Sequence, residues 1–141
     1  MADIKVPIRL IVETAHVRAL RDGKEIVLPQ RVETQNDAAC LYGLIDAVPT
    51  QEEKFKSQRR RIRRLRRDLR PMVRKSELTE QGFDGVIGEI ELSTDALKWL
   101  VDLFADPPEG VIIRGASVDT AEDLVDLHDE IMRMEKTKNE K

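Results

Sequence analysis

Twelve lysines and arginines lie between Lys54 and Lys75, against a single acid, Asp68. Guanidinium groups at this density bind anions, by charge and by forked hydrogen bonds to carboxylate or phosphate oxygens. Arg59, Arg60, Arg63, Arg64, Arg66, Arg67 and Arg70 are therefore the candidate anion- and partner-binding residues, with Arg61 in the same run. The remaining chain holds twelve bases and twenty-six acids, so a net charge of −3 conceals a stretch of +11 against −14 elsewhere. Those acids could meet the arginines within the chain, in a second copy or on a partner. A nucleic acid would instead offer phosphates, with a steep salt dependence. No aromatic residues are interleaved for base stacking. An anionic small ligand held between protomers is a further use of the same cluster.

Other residue types offer less. His16 falls in an expected strand and His128 in register with the apolar stripe of the last helix, and Cys40 is the only thiol. None has a local metal partner, so no metal, cofactor or catalytic triad is expected. Glu89 and Glu91 share one strand face, and Glu122, Asp126, Asp129 and Glu130 line one side of a helix. Such carboxylates work as metal ligands or acid–base pairs only where they converge in a cleft. They are expected to face solvent or the arginines. Gly110 and Gly115 have the spacing of a phosphate loop but lack its Lys and Ser/Thr.

The arginines must be carried by a helix. Phe55, Ile62 and Leu69 recur every seven residues, with Gln58, Leu65 and Met72 at the intervening steps. This heptad seam predicts a coiled-coil-like interface through Phe55, Ile62, Leu65, Leu69 and Met72. Thr50 and Glu53 have capping-box spacing, so the helix is expected over 51–70, ended or kinked by Pro71.

Around that helix the chain reads as follows. Ile4–Val12 is an apolar strand, with Pro7 placing it at an edge or delaying its pairing; His16–Leu20 and Glu25–Leu28 flank Asp22-Gly23, a hairpin signal. Asn36 or Asp37 caps a helix over 38–47, with Ala38, Leu41, Tyr42 and Ile45 on its buried face and Cys40 also packed. Phe83 anchors a glycine-containing link, and a half-buried strand spans 86–92. Ser93 caps a helix carrying Leu97, Leu100, Val101 and Phe104 as far as Ala105. After the Pro107-Pro108 loop, Val111–Arg114 reads as a short strand. Asp119 or Thr120 caps the last helix, with Ala121, Leu124, Val125, Ile131 and Met132 inward, and 136–141 frays.

With 141 residues, 40% hydrophobic and 36% charged, one domain over 1–135 is expected. One cysteine excludes an intramolecular disulfide framework, and no apolar run is long enough to cross a membrane. A cytoplasmic setting, bacterial or in an infected host, is the expectation. The fold class expected is α+β, helix-dominated, with a small antiparallel sheet made of the N-terminal hairpin and the strand near 86–92.

The order of elements, with its LSTDALKWLVDLF and LVDLHDEIMRME helices, resembles that of small proteins of unknown function encoded in bacteriophage and prophage genomes. The resemblance implies a structural, assembly or host-interaction role and carries no site residue. Together these readings predict a non-enzymatic, homo-oligomeric binding or assembly protein whose arginines engage acidic protein surfaces. Regulatory or packaging nucleic-acid binding is the alternative, and a metal-dependent enzyme or anionic-ligand binder comes third.

Overall fold

A computed structural model describes residues 3–139 of the chain. Two long strands open the chain, β1 at Ile4–Arg21 and β2 at Lys24–Asn36, followed by helix α1 at Asp37–Asp46. A short 3-10 segment at Glu53–Gln58 leads into α2 at Arg59–Leu78; β3 at Phe83–Leu92, α3 at Thr94–Ala105 and α4 at Ala116–Asn139 complete the order. The three strands form one antiparallel sheet in the order β2-β1-β3. The class is α+β, with a long basic helix.

The expected hairpin is larger than its sequence signal. Residues 4–21 make one continuous strand rather than two runs, and β2 continues through Pro29 to Asn36. Asp22 and Gly23 both take positive φ, 54° and 75°, as a two-residue hairpin turn of matching twist requires. β1 pairs with β3 from Ile4 to Val12 and with β2 from Leu10 to Arg21, so the middle strand is shared end to end. Beyond Val12 only β1 and β2 remain, as a two-stranded arm.

Pro7 therefore lies in the middle strand and not at an edge, but the other expectation, a delayed pairing, is what occurs: β2 pairs with β1 only from Leu10, and Pro7 breaks no ladder. The Arg9 amide turns away from β3 and donates to Asp37 Oδ2 at 2.9 Å. Strand groups alternate in direction, so the nitrogen of Pro7 points to the same side, where β2 has already ended. The local edge supplies the freedom that the strand order does not.

Each strand pairing holds one bulge with its own polar partner. Thr34 is skipped in the β1–β2 register and its hydroxyl donates to Ile11 O at 3.4 Å. Ile87 is skipped opposite β1, and its carbonyl accepts from Lys75 Nζ at 3.3 Å. Close helix–sheet packing needs Gly88 nearby, because a Cβ there would come within 2.9 Å of Met72 Sδ.

The core gathers Val6, Ile8, Leu10 and Val12 of β1 with Ile87, Ile90 and Leu92 of β3. Ala38, Leu41, Leu44 and Ile45 of α1, Leu97, Leu100 and Phe104 of α3, and Leu124 of α4 close over them. Ile62, Leu65 and Leu69 of α2 belong to this cluster too, each at most 3% exposed, with Phe55 and Met72 half-buried against it. This corrects the expected oligomer seam. The apolar stripe is consumed by the chain's own core, chiefly against α1, and is not free to meet a second copy.

The helix bounds also differ from the expectation of 51–70. No side-chain cap forms at the start of the 3-10 turn; instead Thr50 gives its carbonyl to Arg59 Nε at 2.8 Å, and α-helix begins only at Arg59. At the other end Pro71 stands inside α2, which runs on to Leu78. Pro71 is exposed, so its ring turns to solvent, while Met72, Val73 and buried Ser76 hold the following turn to the core. Tertiary packing outweighs the roughly 3 kcal/mol penalty of an interior proline.

Arg31 of β2 finishes that helix. Its Nη2 donates to Ser76 O at 2.5 Å and its Nε to Thr79 O at 3.3 Å, while Nη1 pairs with Glu33 at 2.6 Å. These are carbonyls that a helix end leaves without partners, at its negative pole.

The shorter helices follow their caps. Asn36 Oδ1 accepts from the Ala39 amide at 3.1 Å and Ser93 Oγ from the Ala96 amide at 3.1 Å. α4 starts at Ala116, earlier than Asp119 or Thr120, because Ser117 Oγ closes the preceding turn on Arg114. Thr120 is thereby buried, and Val125, expected inward, is exposed. Val111–Arg114 joins no strand. Of the tail expected to fray, Lys136–Asn139 is helical, and Glu140 and Lys141 lie outside the described residues.

Asp37 binds four elements together. Its carboxylate accepts from the Arg9 amide, from Gln35 Nε2 at 2.9 Å and from Thr120 Oγ1 at 2.8 Å, joining β1, β2, α1 and α4. Asp37→Ala is expected to strand three donors, cost about 2–4 kcal/mol and loosen α4 first. Hydrogen exchange should show faster exchange of the α4 amides than of β1; unchanged α4 protection would contradict this role. Leu65→Asp, which puts a carboxylate into the core, is expected to cost roughly 4 kcal/mol or more and to unfold the chain in denaturant titrations. A wild-type midpoint would place Leu65 outside the core.

Candidate anion-binding surface

Burial of one stripe of α2 dictates where its arginines go. With Ile62, Leu65 and Leu69 facing inward, Arg60, Arg63, Arg64, Arg67, Arg70 and Arg74 fall at helical spacing on the opposite, exposed face. Sixteen residues from Arg59 to Arg74 span about 24 Å. Between these projecting side chains lies open space of about 1220 Å³, a shallow groove formed by α2 and the preceding 3-10 turn alone and lined by Lys56, Ser57, Arg59, Arg60, Arg63, Arg64, Arg66, Arg67, Arg70, Pro71 and Arg74. No acid lines it.

The arginines are not equivalent. Arg66 is turned to Asp46 at 3.2 Å and Arg59 to the Thr50 carbonyl, so two expected ligand groups serve the fold. Nε of Arg66 is buried without a partner, which leaves its outer nitrogens to carry the ion pair. Arg61 donates to Gln58 Oε1 at 2.9 Å and lies 5.6 Å from the centre of the Trp99 ring, a cation–π contact joining α2 to α3. Arg67 has only a loose pairing with its neighbour Asp68 at 3.6 Å. Arg70 donates to the Tyr42 hydroxyl at 3.2 Å, which biases it further toward its charged form.

Arg60, Arg63, Arg64 and Arg74 make no ion pair among the described residues. They are the free cations of the groove. Arg74 and Lys56 were absent from the sequence-derived set. Arg74 follows Arg70 by four residues, beyond the end or kink expected at Pro71.

The remaining candidates do not assemble. Glu89 lies on the open sheet face with Lys5 3.9 Å away, and Glu91 is exposed there as well. Asp126 borders a separate cleft of about 330 Å³ between β1 and α4. Among the described residues no group of three or more His, Cys, Asp and Glu is arranged to hold a metal ion. His128 is 4.0 Å from Asp129, and His16 is exposed on the arm.

Cys40 is half-buried on α1, where burial pushes its thiol up to about 11 against a smaller opposing effect of the Thr120 hydroxyl. At pH 8 the reactive thiolate is then a minor species in the folded chain. Modification by a thiol reagent is expected to be slow natively and to accelerate up to about a hundredfold in denaturant, since at pH 8 the thiolate fraction changes tenfold for each unit between a pKa of about 9 and one of about 11. Equal rates in both states would show that the thiol is not held this way.

No family model matches the chain, and no curated protein or solved structure shows significant similarity to it.

Proposed function

We propose that this chain is a non-enzymatic nucleic-acid-binding protein that grips the phosphate backbone through the outward face of α2. The observation that carries the reading is the ladder Arg60, Arg63, Arg64, Arg67, Arg70 and Arg74 along a groove with no acid in its lining. Phosphates need this arrangement: a row of fixed positive charge, desolvated on one side by the protein and open on the other.

Two further features narrow the class. Guanidinium groups stay protonated at neutral pH, so the groove supplies binding and not proton transfer. Aromatic rings are missing from the groove lining, so stacking on unpaired bases is not part of its chemistry. The target that fits is a duplex held by its backbone, without sequence preference.

Acidic protein is the competing occupant of the same face. Charge alone does not separate the two, but a duplex releases condensed counterions when it binds, and its affinity falls steeply with salt. Fluorescence anisotropy with a mixed-sequence duplex is expected to give a slope of log K against log salt of about −4 to −5, for five or so phosphate contacts. Arg63→Glu with Arg67→Glu is expected to cut the affinity at least tenfold and flatten the slope by about 2. Absence of duplex binding at about 0.05 M salt, with a polyglutamate chain still bound, would transfer the face to acidic protein.

A further inference from the structure

The arm shows a reversal that neither the core nor the basic groove explains. In the body of the sheet the even-numbered residues of β1, Val6 to Val12, are the apolar and buried ones. Past Val12 the pattern changes phase with no bulge in β1: Thr14, His16 and Arg18 follow on the even side, where Leu20 near the turn and Pro29 and Val27 of β2 are the apolar residues, and Ala15, Val17 and Ala19 form an unbroken apolar row on the odd side. A shift of one residue in a period of two moves the apolar set to the opposite face. The register adds Leu28 beside Val17 and Ile26 beside Ala19, with Ile11 and Val32 below.

This second apolar face points away from the chain's own core. None of Ile11, Ala15, Val17, Ala19, Ile26, Leu28 or Val32 belongs to the core cluster or packs against it. Leu28 is 50% and Val17 42% exposed. A two-stranded ribbon with no cover is marginally stable in water.

We propose that two copies of this chain associate through that face, arm against arm, about a two-fold axis at the Val17–Leu28 pair. Two properties favour a second copy as the occupant. The face is self-complementary in size, because Ala15, Val17 and Ala19 on β1 lie beside the larger Gln30, Leu28 and Ile26 on β2, so a trough and a ridge run side by side. It is also self-complementary in charge: Glu13 stands at its base, Arg21 and Lys24 at its tip, and antiparallel stacking brings each base to the partner's tip.

The area sets the strength. Nine paired positions, Glu13↔Val32 to Arg21↔Lys24, give a face about 30 Å long and roughly 10 Å wide. Two such faces bury several hundred Å², below the usual 1,200 Å² or so of a stable complex, so the dimer is weak and reversible rather than obligate. This association does not depend on the basic groove, which stays open on each copy.

Sedimentation velocity of the full chain from about 1 to 300 µM, at about 0.1 M and 1 M salt, tests it. The expected result is a monomer–dimer equilibrium that persists at 1 M salt, because apolar contact is not screened. Leu28→Asp is expected to weaken it at least tenfold, while Leu20→Asp, 80% exposed on the other face of the same arm, leaves it unchanged. Thermal unfolding serves as the control, since both side chains are solvent-exposed and both variants should melt as the wild type does. A wild-type monomer at the highest concentration, or dimers indifferent to Leu28→Asp, would overturn the proposal. Duplex affinity of the Leu28→Asp monomer, measured per chain, reads the groove separately.

Discussion

Everything about the surface follows from where α2 spends its few apolar residues. Ile62, Leu65 and Leu69 form a stripe too narrow to surround the helix, and no protein interior accepts unpaired arginine. Burying that stripe on α1 and the sheet leaves one orientation for α2, with its cations in water. The basic groove is thus the obverse of the core. Its regularity comes from the helix repeat and its exposure from the cost of desolvating charge.

How much of this could be read in the chain depends on the range of the signal. Asn36, Ser93 and Asp22-Gly23 act within three or four residues of themselves, and their cap, cap and turn appear where the letters put them. The seam of α2 was legible as a stripe but not as to its partner, since seven-residue spacing suits a second helix of the same chain as well as another copy. Pro71 misled for the opposite reason: a local penalty was set against packing by Met72, Val73 and Ser76 that no local rule contains. Arg74 was lost with it. The Arg66–Asp46 pair spans two helices and has no signature in either. The charge imbalance was visible at once, but which arginines remain free needed coordinates.

The sheet teaches a related lesson about long strands. β1 serves two neighbours in sequence, β3 with its first half and β2 with its second, and its side-chain pattern changes phase between them. Read as one amphipathic strand, residues 4–21 look irregular, which explains their division into two runs. Read as two strands joined without a break, they obey the rule twice, on opposite faces. Arg31 sits where the two regimes meet and binds the arm to the last turn of α2.

That sharing of β1 also ranks its two pairings by chain entropy. The β1–β2 hairpin closes over two residues, whereas β3 must return to β1 from across the length of α1 and α2, and loop closure grows dearer with separation. The hairpin is consequently the pairing that costs least chain entropy to close, and β3 completes the sheet across the longer span. The hairpin's face on the odd-numbered side of β1 is thus shaped by two adjacent strands alone and needs no helix to form it.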